Sequence, residues 1–584
     1  MVRRTKIVCT LGPSSEDVGT LSKMIRSGMD IARLNFSHGT REDHLKRLKA
    51  LRRAAETENK FVAVMLDIKG PKIRVGRLKG ESIYLKDSQR VSLITKASST
   101  FSEQIPINYE NLSRELKPGD RVLLNDGRIV LKVEDVDEEE IRCTVLSGGE
   151  LKSNQGVNIP GVELSMPAVT EKDYNDILWG IENGVNFIAA SFVSGPRDIL
   201  EIRKILEEKD CENIHIIAKI ESQAGVNNIE HILAVSDGIM VARGDLGVEI
   251  PSEEVPLIQK ELIKKCNGAG KPVITATHML DSMVRNPRPT MAETSDVANA
   301  IFDGSDAIML SGETAVGKYP VEAVSTMAKL ARKAEEALQY EEILLRRQKA
   351  PQNTITEAIS HASCTIAMDL KADAILTPTA TGSTARLVSK YRPKAPIIAL
   401  SPNRDTLFHL CLVWGVYPVE MPRYNGTDEM FEAGVKAAVK KGLLEEGDLV
   451  VLTAGVPMGV SGTTNLIKVH VVGEALVKGN PIGNQVVRGR ARVAVNAAEA
   501  QKIKKGEILV APYTDKGFMP AIEKASAIIV EQGGVSSHAV IVGLNFNIPV
   551  IVGAKKACEL IKNGELITVD GVRGLIYRGK TNVV

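Results

Sequence analysis

Four charged residues close two consecutive apolar runs, and their types suit the binding of a divalent cation and an anion. The run IHIIAKI (214–220) contains Lys219 and leads into Glu221, and the run DGIMVA (237–242) leads into Arg243 and Asp245. Carboxylate oxygens are the ligands that Mg²⁺ prefers, and lysine or arginine neutralises a phosphate or carboxylate group. The set predicts a site for Mg²⁺ and an anionic substrate, and the alternative is a set of surface ion pairs at loop ends.

The elements around these residues are predicted to bring them together. Both runs consist of branched aliphatic residues, which is typical of strands buried on both faces of a parallel sheet. The segment between them, SQAGVNNIEHILAVS (222–236), has the pattern of an amphipathic helix, so the unit is βαβ. The carboxyl ends of both strands then open on one side, where α/β folds bind their ligands.

Six further runs of this kind indicate the fold class. Helical patterns lie between the runs, and eight strand–helix units predict an α/β protein with a (β/α)8 TIM barrel, whose catalytic groups sit at the carboxyl ends of the strands. The eight runs are KIVCT (6–10), DIARLNFS (30–37), FVAVMLD (61–67), VNFIAASF (185–192), IHIIAKIE (214–221), GIMVARGD (238–245), KPVITAT (271–277) and SDAIMLSGE (305–313). The polar residues at their ends are Arg33, Asn35, Ser37, Asp67, Lys219, Glu221, Arg243, Asp245, Thr277, Ser311 and Glu313.

One gap between barrel strands is too long for a helix and is predicted to form an inserted domain. We place the barrel at 1–69 and 167–340, and residues 70–166, with short alternating runs and turn dipeptides, are predicted to form a small β-barrel. Lys69, Lys72 and Arg74 stand at its hinge, which favours a lid that excludes water over a domain without a role in catalysis.

Two more domains are predicted after the barrel. Residues 350–474 alternate helical and strand patterns, as in a doubly wound α/β domain. Its loop 377–384, TPTATGST, places hydroxyls and a glycine at a helix N-terminus, an arrangement that can bind phosphate, and a second polar loop at 453–464 could close over it. Residues 475–584 are predicted to be a β-rich extra domain, in which His538 begins a helix.

Composition excludes several classes of function. The chain has 584 residues and a net charge of +2, so nothing in it indicates a nucleic-acid or membrane partner. The seven cysteines form no CxxC pair, which favours a reducing compartment, and we expect a cytoplasmic protein. The segment GETAVGKY (312–319) matches a phosphate loop except at Tyr319, which replaces the serine or threonine that would bind Mg²⁺, and we reject that interpretation.

Motifs across the first four-fifths of the chain resemble those of the pyruvate kinase family. They are TKIVCTLGPSS, ARLNFSHG, LDIKGPKIR, IAKIES, ARGDLGVEIP, ITATHMLDSM, DVANAIFDGSDAIMLSGETAVGKYP and YRPKAPIIA. The last domain resembles the swivelling phosphohistidine domain of enzymes that make or use phosphoenolpyruvate, and some bacterial pyruvate kinases carry such an extension. The resemblance implies phosphoryl transfer from phosphoenolpyruvate to ADP, giving pyruvate and ATP in the last step of glycolysis.

The resemblance also implies roles for single residues. Glu221 and Asp245 would hold Mg²⁺, with Mn²⁺ able to substitute, and Lys219 would lie beside the transferring phosphoryl group. Arg33 would clamp the phosphate, while Thr277 and the amides around Gly244 and Asp245 would receive the carboxylate. Ser311 and Glu313 would take part in organising water and in protonating the enolate, and the proton donor is left open. Arg74 and Lys172 would bind the nucleotide phosphates.

The chain departs from the usual family pattern in two places. Members that require K⁺ hold it with groups corresponding to Asn35, Ser37, Asp67 and the carbonyl of Ile68. Where their motif reads LDTKGPEIRTG, this chain reads LDIKGPKIRVG and has Lys72 in place of the glutamate. A fixed ammonium can supply the charge that K⁺ otherwise provides, so we expect activity without K⁺. The second departure, His278 in place of a common glutamine, is expected to be tolerated.

The resemblance extends to regulation and assembly. The effector site of the family corresponds to Thr379, Thr381, Gly382, Ser383 and Thr384, so we expect activation by a phosphorylated metabolite and a homotetramer. His538 lies in GGVSSHAVIVGLNF, whereas a functional phosphohistidine domain has GGxTSHAAIxAREL. The missing arginine favours a structural or regulatory extension over a working phosphohistidine. The rival functions are a phosphoenolpyruvate synthase-like enzyme and a non-catalytic, metabolite-sensing scaffold.

Overall fold

The chain folds into two compact units, each of which is described by itself. In this computed structural model the first unit comprises Met1–Gln339 and Asn403–Pro418, and the second comprises Tyr340–Pro402 and Val419–Val584. The structure describes residues 3–78, 80–95, 104–162, 165–348, 354–424, 426–455, 463–473, 475–579 and 581. Within these ranges, no helix combines the length and apolar character needed to cross a membrane.

The first unit begins with three parallel strands and two helices. They are β1 (Lys6–Thr10), α1 (Val18–Ser27), β2 (Ile31–Asn35), α2 (Arg41–Thr57) and β3 (Ala63–Asp67). Polar caps fix the start of both helices: the Asp17 side chain accepts a hydrogen bond from the Thr20 amide in α1, and Thr40 and Asp43 form a capping box in α2. The strands are buried along their lengths except at Asn35, which is half-buried.

Two sheets follow β3 before the barrel resumes. Their elements are β4 (Ser82–Leu85), β5 (Arg90–Ile94), β6 (Gln104–Pro106), α3 (Leu112–Glu115), β7 (Arg121–Leu124), β8 (Ile129–Val136), β9 (Glu140–Ser147), β10 (Gly149–Lys152) and β11 (Val157–Asn158). One sheet has six strands in the order β11-β7-β8-β9-β5-β6, and the other pairs β10 with β4. Alternating buried and exposed residues along β8 and β9 give the insert a core of its own.

Five more parallel strands close the barrel. The elements are α4 (Glu171–Glu182), β12 (Phe187–Ala190), α5 (Pro196–Glu207), β13 (His215–Ile220), α6 (Gln223–Asn227), α7 (Ile229–Val235), β14 (Gly238–Ala242), α8 (Arg243–Glu249), α9 (Val255–Ala269), β15 (Val273–Ala276), α10 (Met291–Asp303), β16 (Ala307–Leu310), α11 (Gly312–Ala315) and α12 (Pro320–Glu336). The strand order is β1-β16-β15-β14-β13-β12-β3-β2, closed on itself. The predicted α/β fold class with a TIM barrel is confirmed, and each predicted run contains one barrel strand.

The barrel interior receives residues from a distant part of the chain. Its central cluster includes Val8, Met65 and Ile217 on the strands, together with Cys411 and Leu412 from Asn403–Pro418. Both of these distant residues are buried, and Leu412 has no solvent exposure. A segment that lies beyond the last barrel helix in sequence therefore completes the packed interior of the barrel.

The second unit contains two further sheets. The first has the order β19-β18-β17-β20-β21, and the second has the order β22-β29-β28-β24-β25-β26-β27-β23. The elements of the first are α13 (Tyr340–Gln348), α14 (Ile355–Asp369), β17 (Ala374–Pro378), α15 (Ser383–Lys390), β18 (Ile397–Ser401), α16 (Arg404–Leu410), β19 (Val416–Glu420), α17 (Thr427–Lys440), β20 (Leu449–Gly455) and β21 (Thr464–Val471), with α16 in the first unit. Those of the second are β22 (Val477–Lys478), β23 (Asn480–Ile482), β24 (Val486–Val493), α18 (Ala497–Ala500), β25 (Ile508–Ala511), α19 (Met519–Ile522), β26 (Ala527–Val530), α20 (His538–Phe546), β27 (Val550–Val552), α21 (Ala557–Leu560), β28 (Leu566–Asp570) and β29 (Leu575–Arg578).

Candidate active site

A buried lysine stands at the centre of the charged groups on the carboxyl rim of the barrel. The Lys219 Nζ, near the end of β13, lies 3.1 Å from Glu221 Oε1 and 3.2 Å from Asp67 Oδ1. It also donates to Ser191 Oγ at 2.6 Å. Burial acts to lower the pKa of Lys219, but Asp67 and Glu221 outweigh burial and raise this pKa above its ordinary value. Lys219 is therefore a fixed, charged ammonium.

Arg33 on β2 and Asp67 on β3 also belong to this group; the two strands are neighbours, and β12 lies between β3 and the strand of Lys219. The Arg33 Nε donates to Asp67 Oδ2 at 2.6 Å, and Arg33 Nη1 donates to Thr10 Oγ1 at 2.9 Å. Burial acts to raise the pKa of Asp67, but Arg33 and Lys219 outweigh it and lower this pKa. Asp67 thus remains ionised and holds two cations at the rim, where they can meet an anionic substrate.

Glu221 and Asp245 form the carboxylate pair of the rim. Glu221 is 2% exposed and its Oε2 accepts a hydrogen bond from the Phe192 amide at 2.6 Å. Burial raises the pKa of Glu221, and Asp245 adds to this rise while Lys219 opposes it. Asp245 lies in the first turn of α8 with its side chain about one third exposed, and its Oδ1 accepts a hydrogen bond from Lys72 Nζ at 3.0 Å.

This carboxylate pair fits a divalent cation in its chemistry. A buried carboxylate whose charge is disfavoured gains most from a cation beside it. Across the described residues, no three or more His, Cys, Asp or Glu side chains are grouped as ligands of one metal ion. Two carboxylates with substrate oxygens and waters as the other ligands are typical of Mg²⁺ sites in phosphoryl-transfer enzymes.

Thr277 begins a strained turn after β15. Thr277 and His278 have φ angles of 68° and 54°, in the left-handed region that β-branched threonine rarely adopts. Three contacts hold the turn: the Gly244 amide donates to Thr277 Oγ1 at 2.8 Å, and Arg243 Nη2 donates to Thr277 O and to Asp296 Oδ2, both at 2.7 Å. Arg243 was predicted at the rim as one of the polar strand ends, and the structure shows that its guanidinium supports this turn.

Ser311 and Glu313 lie after β16, and a hydrogen bond joins the Ser311 backbone to the Glu313 carboxylate. The Ser311 amide donates to Glu313 Oε2 at 2.7 Å, and the Leu280 amide donates to Glu313 Oε1 at 3.0 Å. Burial is the largest effect on Glu313 and raises its pKa. Glu313 therefore ties the loop after β15 to the loop after β16.

Cations at the hinge of the insert lie close enough to influence one another. Burial, followed by Arg74 and Lys172, lowers the pKa of the Lys69 ammonium. The Lys172 Nζ donates to Phe36 O at 2.9 Å, and Arg74 Nη1 donates to Asn154 O at 2.9 Å. Lys172 also forms an ion pair with Asp176, so its charge is partly balanced. Lys69 and Arg74 add further positive charge, which suits a polyphosphate.

The four residues that correspond to a K⁺ site are all engaged within the protein. The Ser37 amide donates to Asn35 Oδ1 at 3.1 Å, the carbonyl of Ile68 accepts from Ser191 Oγ at 2.7 Å, and Asp67 is paired as described above. The ammonium of Lys72 contacts Asp245, and its hydrogen bond to this carboxylate places it at the predicted Mg²⁺ ligand.

The predicted effector loop belongs to the second unit. The Gly382 amide donates to Thr379 Oγ1 at 2.9 Å, and Gly382, with φ 79°, precedes the first turn of α15 at Ser383. Thr381 is exposed, whereas Thr384 is buried and its Oγ1 lies 2.7 Å from Thr464 Oγ1. Most of the second polar loop, at 456–462, lies outside the described residues.

His538 occupies the predicted place at the start of α20. Its Nδ1 lies 3.2 Å from Thr514 Oγ1, and the ring is half-buried. Ser537 precedes the helix without capping it, and the buried Ser537 Oγ has no hydrogen-bond partner among the described residues.

Sequence reasoning missed three residues that contact the site. Ser191 directly follows β12 and bonds Lys219, Thr10 ends β1 and bonds Arg33, and Phe192 presents its amide to Glu221. Ser191 and Thr10 stand at strand ends, so the rule that identified the other rim residues would have found them. Phe192 acts through its backbone, at a φ of 57°, and side-chain chemistry gives no signal for it.

Comparisons with known proteins agree with this geometry. The chain matches the models of the pyruvate kinase barrel domain over residues 2–324, the pyruvate kinase alpha/beta domain over 357–470 and the mobile domain of PEP-utilising enzymes over 503–574. It is 54% identical to a pyruvate kinase of Geobacillus stearothermophilus and 52% identical to one of Bacillus licheniformis, and each match covers 100% of both chains. The crystal structure of a pyruvate kinase from Cryptosporidium parvum matches with a TM-score of 0.77 and 39% identity, over 81% of this chain and 96% of that one. This chain belongs to the pyruvate kinase family.

Proposed function

We propose that this enzyme transfers the phosphoryl group of phosphoenolpyruvate to ADP and releases pyruvate and ATP, as the last step of glycolysis. The observation that carries the proposal is the buried Lys219 ammonium, which lies between Glu221, directly after β13, and Asp67, at the end of β3. The test is pyruvate formation from phosphoenolpyruvate, coupled to lactate dehydrogenase, with and without ADP. A phosphoenolpyruvate synthase-like enzyme would not depend on ADP in this direction, and a metabolite-sensing scaffold would form no pyruvate.

In this proposal the substrate phosphate lies between Arg33 and Lys219. Both cations are fixed by Asp67, so they need not reorganise when charge moves from the enol oxygen to the nucleotide. A loose phosphoryl transition state has little covalent bonding to assist, and positioning with charge neutralisation provides the rate. The carboxylate of the substrate would meet Thr277 and the amides of Gly244 and Asp245 at the N-terminus of α8.

Glu221 and Asp245 are proposed to hold Mg²⁺, which Mn²⁺ can replace. When bound, the divalent ion supplies positive charge at the oxygens of the substrate and of the transferring group. A cation in this site would favour the ionised form of Glu221, whose pKa burial raises, and it would share Asp245 with Lys72. Ser311 and Glu313 are proposed to order the water around the enolate carbon as it takes up a proton.

Arg74 and Lys172 are proposed to bind the phosphates of ADP, with residues 70–166 acting as the lid. Arg74 and Lys172 add to the effect of burial in lowering the pKa of Lys69, which supports this assignment, because a bound polyphosphate offsets repulsion between cations. We expect neutralising Arg74 by substitution with methionine to raise the KM for ADP more than the KM for phosphoenolpyruvate.

We propose that the enzyme needs no K⁺ at the positions that correspond to the family site, Asn35, Ser37, Asp67 and Ile68. Lys72 brings a fixed positive charge to the rim at Asp245, 3.0 Å from this carboxylate. The test is an assay in tetramethylammonium buffer with and without added K⁺. A many-fold increase on addition of K⁺ would contradict the proposal.

The second unit is proposed to serve regulation and assembly. Residues 350–474 would bind a phosphorylated activator at Thr379, Thr381, Gly382, Ser383 and Thr384, because amides and hydroxyls at the start of α15 suit a phosphate. The active form is proposed to be a homotetramer, which analytical ultracentrifugation can test. The seven free cysteines support a cytoplasmic location, since free thiols are typical of reducing compartments.

Residues 475–584 are proposed to be a structural or regulatory extension. Phosphoryl transfer to ADP is direct and requires no carrier, and the motif around His538 lacks the arginine of working phosphohistidine domains. Mass spectrometry after incubation with phosphoenolpyruvate tests this. Phosphate on His538, absent from a His538→Ala variant, would overturn the proposal in favour of a carrier.

A further inference from the structure

A cavity of about 390 Å³ lies beside the candidate active site and is not used by the proposed mechanism. One wall consists of the two connections between the barrel and the insert, at 71–73 and at 157–162 with 166–168. The other wall consists of the segments that follow β12 and β13, together with Glu249. Its volume falls in the range of sites for small organic molecules.

One of the residues that line the cavity has an unpaired acceptor. Asn158, at the end of β11, is only 7% exposed, and its Nδ2 donates to Glu249 Oε1 at 3.2 Å. The Asn158 Oδ1 is buried and has no hydrogen-bond partner among the described residues. A buried carbonyl oxygen without a partner is costly, so a ligand that donates a hydrogen bond there would be favoured.

The charges around the cavity favour a cationic donor. The charged lining residues are Lys72, Asp198 and Glu249. Lys72 is neutralised by Asp245, and Asp198 is satisfied by the amide and hydroxyl of Ser194. Glu249 is the third of these charges. Burial raises the pKa of Glu249 and Asp245 adds to the rise, while the hydrogen bond from Asn158 and the charge of Lys72 oppose it. A cation beside Glu249 would favour its ionised form.

The rest of the lining is mixed, with apolar side chains beside serine, asparagine and glutamine residues. Ile73, Val157 and Ile159 come from the insert side, Met166 from the second connection, and Phe192 from the barrel side. These side chains can cover a hydrocarbon body of modest size, while the polar residues orient it.

We propose that this cavity binds a small organic cation, a primary ammonium on a compact apolar body. The ammonium donates to Asn158 Oδ1 and to the Glu249 carboxylate, and the body packs against Ile73, Met166 and Phe192. The site is distinct from the groups assigned to phosphoenolpyruvate and ADP, and its occupancy does not depend on the proposed reaction.

The test uses the full-length enzyme labelled with ¹³C at the methionine methyl groups. Phenethylammonium chloride is titrated in, and the Met166 signal, assigned with a Met166→Leu variant, is followed by NMR. We expect a saturable shift of this signal. The uncharged analogue 2-phenylethanol should bind about tenfold more weakly, because it lacks the charged donor.

Matched variants separate the site from nonspecific binding. Glu249→Gln keeps an acceptor for Asn158 but removes the charge, and we expect about tenfold weaker binding. Glu253→Gln, at an exposed position of the same segment, should leave the affinity unchanged. Ala168→Leu narrows the cavity without changing its polar residues and should also weaken binding, with the other methionine signals reporting that the fold is kept.

Three results would overturn the proposal. The first is a Met166 signal that does not saturate, and the second is equal affinity for the ammonium and the alcohol. The third is displacement of the probe by saturating phosphoenolpyruvate with Mg²⁺, which would make the cavity a part of the substrate site. The kinase assay is independent of all three, so failure here leaves the proposed reaction standing.

Discussion

Replacing Lys219 by methionine should remove phosphoryl transfer and leave the fold in place. The substitution keeps the length of the side chain and deletes the charge that lies 3.1 Å from Glu221 and 3.2 Å from Asp67. Loss of one preorganised electrostatic contact in an active site costs about 10²- to 10³-fold in kcat. Lys219 would contact the transferring group itself, so we expect a loss at or above the upper end of that range.

The same change has a calculable effect on stability. Breaking a buried ion pair costs about 3–5 kcal/mol when the remaining charge has no other partner. Asp67 keeps its bond to Arg33, and Glu221 can take up a proton because burial already raises its pKa. We therefore expect the free energy of unfolding to fall by about 3 kcal/mol or less, which leaves a chain of this size folded.

The assay is lactate dehydrogenase-coupled pyruvate formation, with circular dichroism and thermal unfolding as checks of the fold. Lys6→Met is the matched control, because Lys6 is equally buried but lies at the amino end of β1, where its Nζ donates to Val416 O and sits 4.8 Å from the ring centre of Tyr417. We expect this control to keep kcat within about twofold of the parent. A Lys219→Met enzyme with kcat within tenfold of the parent would refute the reasoning.

Three further outcomes follow from the structure. Burial raises the pKa of Glu221 in the folded state above its unfolded value. The stability that Glu221 contributes to the metal-free enzyme is therefore fully present below the unfolded pKa and is lost as pH rises through the folded pKa. Calorimetry at several pH values should show a steeper loss of stability with rising pH in the parent than in Glu221→Gln, and parallel curves would contradict this. Arg243→Lys loses the paired hydrogen bonds to Asp296 that support the turn at Thr277, so the KM for phosphoenolpyruvate should rise about tenfold, and an unchanged KM would refute that support. Gly12→Ala would place a Cβ 2.4 Å from the Ala315 carbonyl oxygen and should lower the free energy of unfolding by about 1–3 kcal/mol, as measured by thermal unfolding. Gly268→Ala in α9 would meet nothing within 4 Å and should raise the free energy of unfolding by up to about 1 kcal/mol.

The barrel was predictable from the sequence because its strands are buried on both faces. Continuous branched-aliphatic runs such as those ending at Lys219 and Asp245 have no other simple interpretation once eight of them alternate with helical patterns. The rim residues followed from the same rule, since strand ends converge in a parallel barrel. The helices that begin with Thr40 and Asp17 caps were likewise local features.

Pairings between distant residues could not be read from the sequence. Arg243 pairs with Asp296, 53 residues further along the chain, and Lys72 pairs with Asp245, 173 residues further along. Tertiary packing alone decides which opposite charge is near. The backbone strain at Thr277 has no marker either, since a threonine in the left-handed region is held there by its surroundings. The pKa of Glu221 depends on its burial and on neighbours from four separate segments of the chain, namely Lys219, Asp245, Phe192 and Asp67.

The origin of Cys411 and Leu412 bears on how this polypeptide can mature and be dissected. During synthesis the eight barrel strands leave the ribosome long before these two residues do. The interior cluster of the barrel is therefore incomplete until residue 418 has emerged. For the same reason, a gene cut after residue 339 would encode a barrel whose base exposes Val8, Met65 and Ile217 to water. A separately expressed catalytic fragment would need the segment 403–418, either grafted or supplied as a peptide, to keep water out of the barrel interior.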